Sequence, residues 1–448
     1  NTILLIVIFF KLSFFSQKEL KYKYNQNDPN WIKLMYSKKP DPDKLIKAYN
    51  RFYNKNEFKK NQHTQYYKRW LRSFSRSELN NSSSKSYINR SLNNKNKQSA
   101  KSSWQCIGPW DFDKDAASRS YAPGAAHLYT VKRCMSDTSI MYAGTATAGV
   151  WKSTDAGQNW TLTTKNLMVN SVFALEIDHT NPNIVYFESG GILYKSMDGG
   201  LNWAIIGDNS FTALSHSVKD IVMNPQNSNI IYLTSQNGFY RTIDGGNNWT
   251  KIINGDFQEI EINPSNANII YTIKLIGNRT EFYKSIDGGI NFTAKLNGWP
   301  NPDANDEQKR VEIAVTPAAP DYIYANATGE ANGGSGTYGI YFSDDAGESW
   351  TFRCCGGQPS GPASLSNPNL MGWTDDGTDD GGQYYYDVAL EVDPINPDKL
   401  HLGGVNHWVS IDGGYSFNCP AKWSHGGSNK YVHADIHDIR YLGNELRF

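Results

Sequence analysis

From about residue 104 onward the apolar positions fall in short runs rather than at helical spacing. Gly149-Val150-Trp151-Lys152 and Gly191-Ile192-Leu193-Tyr194-Lys195 are typical, each bounded by Gly, Asn or Asp. That pattern predicts short strands joined by tight turns. Residues 28 to 76 read differently. Leu45, Tyr49 and Phe52 recur at helical spacing, as do Tyr67, Trp70, Leu71 and Phe74. Asp28-Pro29 and Asp41-Pro42 each offer a capping aspartate with proline in the first turn. Residues 77 to 103 are rich in Ser, Asn and Lys and poor in apolar groups, the composition of a linker. Ile3 to Phe10 is an apolar run too short to span a bilayer. It reads as the core of a secretory signal ending near Ser16-Gln17, the alternative being a buried strand with nothing nearby to pair with. The expected division is a signal at 1–16, a helical front segment at 17–76, a disordered linker at 77–103 and a β-region at 104–448.

One motif returns six times in the β-region. Ser153-Thr154-Asp155-Ala156-Gly157-Gln158-Asn159-Trp160 and Ser196-Met197-Asp198-Gly199-Gly200-Leu201-Asn202-Trp203 are the first copies, followed at 242–249, 285–292, 343–350 and 410–417. The shared form is Ser/Thr-x-Asp-Gly/Ala-Gly-x-x-Trp/Phe. Its aspartates are Asp155, Asp198, Asp244, Asp287, Asp345 and Asp412, spaced 43 to 67 residues apart. A second motif precedes five copies, as in Asn181-Pro182-Asn183-Ile184-Val185-Tyr186 and Asn227-Ser228-Asn229-Ile230-Ile231-Tyr232. A period of about 40 to 50 residues, with one Asp-Gly turn and one aromatic per unit, predicts propeller blades of four strands. Each aspartate is expected to accept N–H groups of its own turn, with a glycine supplying positive φ. The six aligned aspartates therefore read as fasteners, not catalysts. A further strand at Val432 to Tyr441 brings the expected fold to an all-β propeller of at least seven blades, the last cut off at Phe448.

The motif resembles the Asp-box, or BNR, repeat of sortilin-type receptor ectodomains, sialidases and two-propeller xyloglucanase-type glycoside hydrolases, over residues 104 to 448. In detail the chain is similar to sortilin-like propellers exported by Bacteroidota through type IX secretion. That likeness is carried by Asn30-Trp31-Ile32-Lys33-Leu34-Met35 and Lys68-Arg69-Trp70 in the front segment, and by Asn369-Leu370-Met371-Gly372-Trp373 and Gly403-Gly404-Val405-Asn406-His407-Trp408 in the β-region. It implies a secreted or cell-surface protein on the outside of a Gram-negative bacterium. The C-terminal sorting domain of that route is absent, and the chain begins with Asn1 rather than Met, so a fragment of a longer protein is expected. Sialidases carry an Arg-Ile-Pro element that this sequence lacks. The xyloglucanase type places its catalytic carboxylates between two propellers, and a second propeller could lie beyond Phe448.

Charge adds one feature. Lys and Arg balance Asp and Glu at 44 each, but residues 17 to 103 hold 21 basic and 6 acidic side chains, against 22 and 38 from Trp104 onward. A uniformly basic nucleic-acid binder does not fit, and the exported context also argues against nucleic acid. The front segment could dock on the acidic propeller as a prosegment or clamp, or stand as a solvated helical hairpin. A mean hydropathy of -0.58 excludes a polytopic membrane protein. The five cysteines form no CxxC pair and no disulfide framework. Of the vicinal Cys354 and Cys355, one is expected to bond elsewhere, with Cys419 a candidate.

Three sets of side chains are candidates for chemistry. Asp376, Asp380 and Asp387 lie between the fifth and sixth motifs and partly echo a calcium loop, though Thr378 takes the third place and no helices flank it. Ca²⁺ is the expected ion if any is bound, no cofactor being required, and a solvated acidic loop is the alternative. His433, Asp435 and His437 would project to one face of the predicted strand and suit a transition metal, or pin a channel wall by hydrogen bonds. Trp373, Tyr384, Tyr385, His407 and Trp408 could stack on a ligand or pack the core. No catalytic set is complete. The expected function is capture of a glycan or peptide at a propeller face, with two alternatives. One is a glycoside hydrolase whose cleft is completed by downstream sequence. The other is a propeller blocked by its front segment until processing.

Overall fold

A computed structural model describes residues 27–37, 40–58, 63, 64, 67 and 128–447, apart from 147, 166, 168, 170, 208–217, 425–429 and 443–444. The expected signal, the linker, the helical positions Trp70, Leu71 and Phe74, and the start of the β-region lie outside the described residues. The chain divides into two units, Asn1–Ile107 and Gly108–Phe448.

In the first unit, α1 spans Asn30–Met35 and α2 spans Pro42–Tyr53. Asp41 caps α2, its Oδ1 accepting Lys44 N–H at 3.0 Å, with Pro42 opening the first turn. At α1 the cap position is Pro29 itself and no side chain caps it, so only one of the two Asp-Pro pairs works as expected. The aromatic stripe is used within the unit. Trp31 is buried with Leu45 and Tyr67, its ring edge-on to Tyr49 at 4.9 Å, and Tyr49 stacks on Tyr67 at 3.8 Å.

The second unit is a series of four-stranded antiparallel meanders. Blade one is Leu128–Arg133, Met141–Thr145, Val150–Ser153 and Thr161–Leu162. Blade two is Leu175–Ile177, Val185–Ser189, Ile192–Ser196 and Ala204–Ile205. Blade three is Val218–Met223, Ile231–Ser235, Gly238–Thr242 and Thr250–Asn254. Blade four is Asp256–Ile262, Ile270–Ile276, Arg279–Ser285 and Thr293–Ala294. Blade five is Glu307–Thr316, Ala319–Ala331, Gly334–Ser343 and Thr351–Cys354. Blade six is Ala389–Val392, Leu400–Gly403, His407–Ser410 and Asn418–Lys422, with Lys430–Tyr431 added in parallel. The first strands of successive blades pack on one another around an axis. The chain is a six-bladed β-propeller.

Burial explains the sequence pattern. Second strands such as Val185–Ser189 and Ile231–Ser235 are buried at every position, because blades cover both faces, and they read as continuous apolar runs. First strands alternate, as in Val218–Met223, because one face looks into the channel. Between blades, aromatic side chains interlock: Phe282 and Trp299 of blade four meet Trp350 of the following turn at 4.8 and 4.7 Å.

Two expectations are corrected here. Residues 432–439 are not a strand; only Arg440–Leu442 is, pairing with Glu445–Arg447 as a two-stranded sheet. A full seventh blade is thus not present among the described residues. Cys354 and Cys355 bond to each other, their Cα atoms 3.7 Å apart, while the Cys419 thiol meets the Ala421 carbonyl at 3.4 Å.

The long hairpin of blade five supports the insertion at 355–388. Asn369 joins them: its Oδ1 accepts Thr337 N–H at 2.9 Å and its Nδ2 donates to the carbonyls of Ser335, Asp379 and Gly381. Gly336 makes this possible, since a Cβ there would lie 2.1 Å from Asn369 Oδ1.

Candidate functional site

The recurring aspartates lie in the turn between third and fourth strands of each blade. In the first copy Ser153 Oγ donates to Asp155 Oδ1 at 2.8 Å, and Asn159 donates to both carboxylate oxygens through its backbone and side-chain nitrogens at 2.8 and 2.7 Å. The same three contacts recur at Asp198, Asp244 and Asp287. At Asp345 and Asp412 a serine replaces the asparagine. Donors from Asn159 and Asn291 pull Asp155 and Asp287 down to about 2. A carboxylate held by three donors of its own turn, with its proton affinity lowered by them, serves as a fastener of that turn. Tyrosines of the second motif pin the next turn along: Tyr186 and Tyr232 hydroxyls donate to the carbonyls of Gly245 and Gly288 at 3.1 and 3.2 Å.

Neither sequence-predicted set of metal ligands assembles as a set. Among the described residues there is no group of three or more His, Cys, Asp or Glu side chains that could hold a metal. Asp376 is turned to Thr378, which donates from N and Oγ1 at 3.1 and 2.8 Å. Asp380 is exposed, and Asp387 is fully buried elsewhere. The expected alternation of His433, Asp435 and His437 fails because 432–439 is irregular backbone, with Asp435 at φ 71°. His433 is exposed, Asp435 accepts Gln383 Nε2 at 2.9 Å, and His437 sits edge-on to Tyr129 and Tyr386.

The predicted stacking residues divide. Trp408 and His407 are buried, Trp408 against Leu402 and Val388 in the core. His407 Nε2 lies 3.0 Å from His401 Nδ1, and burial takes both imidazoles down to about 4, so they are neutral at physiological pH. Tyr384 is also buried, its hydroxyl donating to Glu330 at 3.1 Å. These three pack the core instead of facing solvent. Tyr385 and Trp373 are the exposed pair, at 70% and 43%.

Tyr385 leads to a feature that sequence reasoning missed. A cavity of about 500 Å³ opens where the first strands enter the channel. Its rim is aromatic. Tyr129 stacks on Phe173 at 4.1 Å, and His437 stands perpendicular to Tyr129 and Tyr386 at 4.8 and 4.6 Å. Its floor is charged, with Lys132, Asp220, Glu259, Glu312 and Arg440. Burial raises Asp220, and burial with the neighbouring Glu312 raises Glu259 well above the usual carboxylate range. Arg310 meets Glu312 at 2.7 Å.

Deeper in the channel the carboxylates fasten neighbouring first strands. Asp220 accepts Ile260 N–H at 3.1 Å and Glu259 accepts Ile313 N–H at 3.0 Å, each on the next blade. The segment after blade six joins the same chain of contacts. Glu391 of blade six accepts Tyr441 N–H at 3.1 Å, and Asp438 accepts Val131 N–H of blade one at 2.9 Å. Residues 438–441 thus bridge blades six and one. Arg440, 2.9 Å from Asp438 and 4.0 Å from Glu261, is the countercharge of that region.

No family model and no curated protein matches the chain. Among solved structures it is similar to a glycoside hydrolase family 74 enzyme of Niastella koreensis, at 19% identity and TM-score 0.45, over 66% of this chain and 45% of that one. It is similar to YCF48 from Cyanidioschyzon merolae at 14% identity and TM-score 0.48, over 72% and 92% of the two chains. It is also similar to the extracellular domain of a one-component system of B. thetaiotaomicron, at 10% identity and TM-score 0.44, over 71% and 36%. The chain spans less than half the length of the Niastella enzyme. At these scores the likenesses carry no argument about function, and the propeller assignment rests on the six sheets themselves.

Proposed function

We propose that the chain is a secreted or cell-surface binding module whose channel mouth captures a glycan or peptide. The observation that supports this is the aromatic-rimmed cavity at the channel entrance, wide enough for a few sugar rings or side chains. Exposed Tyr385 and the Tyr129–Phe173 stack offer flat apolar faces, and the charged floor offers orientation. The apolar run at the start of the sequence supports export, and no helix among the described residues is long and apolar enough to cross a membrane. The Asp-box and type IX assignments, and docking of the basic front segment on the propeller, belong to the same proposal.

Hydrolysis is the second reading, favoured by the Glu259 and Glu312 carboxyls facing the cavity. Glu312 is paired with Arg310 at 2.7 Å and Glu259 accepts Ile313 N–H at 3.0 Å, so both are engaged by the scaffold, whereas the two carboxyls of a glycosidase flank the scissile bond. Binding without hydrolysis therefore fits better. The test is screening of glycan and peptide arrays, with affinity measured for any hit against wild type and a Tyr385→Ala, Tyr386→Ala double variant. The expected loss is about tenfold to a hundredfold, for two aromatic faces removed. Unchanged affinity in the double variant would place recognition elsewhere, and release of reducing sugar would favour the hydrolase.

A further inference from the structure

Asp387 is the least satisfied charged group in the described propeller. It is 0% exposed, and neither carboxyl oxygen has a protein hydrogen-bond partner. Either ionisation state leaves a deficit. A buried carboxylate needs donors or a cation, and a buried carboxylic acid needs an acceptor for its proton. Two charged groups act on it. Asp435, on the segment that bridges blades six and one, repels it, and Arg310 attracts it. Arg310 is committed elsewhere: Nε and Nη2 donate to Glu312, Nη1 to the Tyr386 carbonyl and Nη2 also to the Val388 carbonyl. Burial, with Asp435 beside it, lifts the Asp387 carboxyl to about 8. Asp435 in turn is held by Gln383 Nε2 at 2.9 Å on a backbone in the left-handed region.

We propose that Asp387 and Asp435 together bind a calcium ion that ties the end of the insertion to the bridging segment. The two sequence-predicted metal sets were each incomplete, and Gln383 links one member of each, its carbonyl accepting Asp387 N–H at 3.3 Å and its Nε2 donating to Asp435 at 2.9 Å. Two carboxylates offer oxygen with no thiolate or imidazole beside them, which selects a hard cation over zinc or copper. A divalent charge between them would satisfy the orphaned oxygens and remove the repulsion between the two carboxylates. The remaining ligands would be carbonyl and water oxygens. Few carboxylates give modest affinity, in the range of about 0.1 to 1 mM seen for extracellular calcium modules. The site lies one residue from Tyr386 on the cavity rim, but it is independent of what that cavity binds.

The test uses the full chain, stripped with EDTA and melted at neutral pH while CaCl2 is titrated. Wild type and the exposed-loop control Asp376→Asn should each gain about 3 °C at about tenfold excess over half-saturation. Asp387→Asn and Asp435→Asn should show no calcium response. Terbium should luminesce in wild type on excitation of the nearby tyrosines, and calcium should displace it. If Asp387→Asn does not fold, Asp435→Asn and the terbium signal decide. The proposal is overturned if wild type ignores both calcium and EDTA, and greater stability of Asp387→Asn above about pH 8 would then mark a site holding a proton. It is equally overturned if both Asn variants respond as wild type does. None of these outcomes bears on ligand capture at the channel mouth.

Discussion

Replacing Arg440 by methionine tests whether the channel is held by charge balance. The guanidinium lies 2.9 Å from Asp438 and 4.0 Å from Glu261, and Glu391 and Asp220 also act on it. Methionine keeps much of the apolar stem and removes the charge, leaving these four carboxylates with Lys132 as the nearest remaining cation. Breaking a buried pair by deleting one partner costs about 3 to 5 kcal/mol. Arg440 keeps 35% of its side-chain surface open to the channel, so water screens it and about 2 to 3 kcal/mol is the reasoned loss. The sign of the pH dependence follows from the carboxylates. Burial raises Glu261 to about 8 and also raises Glu391 and Asp220. A raised carboxyl ionises more readily in the unfolded chain, so stability falls as pH climbs from the unfolded value toward the folded one. Without Arg440 that fall should be steeper. Urea denaturation should show the full loss at about pH 9 and a smaller loss at about pH 5, where Glu261 holds its proton and has no charge for the arginine to balance. An equal loss at both pH values would show that the arginine acts by packing, and the charge argument would be wrong.

Two further outcomes follow from the same accounting. Ser285 is buried and accepts Gly289 N–H at 2.9 Å while donating to Asp287. Ser285→Ala should cost about 1 to 3 kcal/mol by urea denaturation, whereas Ser285→Thr should be near neutral, because Thr242 makes the equivalent contacts in blade three. Glu188 in blade two is buried, which lifts it to about 7, and it accepts Gly191 N–H. Glu188→Gln keeps that acceptor without the charge. It should match wild type at about pH 4.5 and exceed it by about 2 to 3 kcal/mol at about pH 9, as read from urea midpoints, with equal midpoints at both pH values refuting the buried-charge reading.

The blades were legible because each repeat announces itself locally. The Asp-Gly turn, its aromatic and the Asn-rich motif all act within one unit or on the next, so their spacing alone predicts the meander. The aromatic stripe on α2 was legible as a helix face but not in its partner, because Trp31 and Tyr67 sit far from Tyr49 in sequence. The strand expected at Val432 to Tyr441 failed at a particular point. Ile436 N–H donates to the Gly404 carbonyl, and Ile436 with Ile439 packs on Ala389, so the segment is held from the side as irregular chain before it enters a ladder at Arg440. Apolar residues at alternate positions look the same whether a ladder or a neighbouring sheet buries them.

The site was less legible, because it is made of residues contributed one per blade. Attention to dense clusters favoured the Asp-rich insertion and the His-Ala-Asp-Ile-His run, where residues are close in sequence but point to separate partners. The recoverable signal was sparser. Glu176, Asp220, Glu261, Glu312 and Glu391 each stand between apolar residues of a first strand, two or four residues before the polar residue at Asp178, Asn224, Asn263, Thr316 or Asp393. One carboxylate in an apolar strand is costly to bury without a partner. Its return at an even offset, and so on one face of the strand, in repeat after repeat therefore marks a surface shared by the strands, which in a propeller is the axis. The side chains on the rim carry no such periodic mark, since Tyr129 lies at the start of its strand while Phe173 and Tyr386 precede theirs in loops of different length. Geometry alone gathers them.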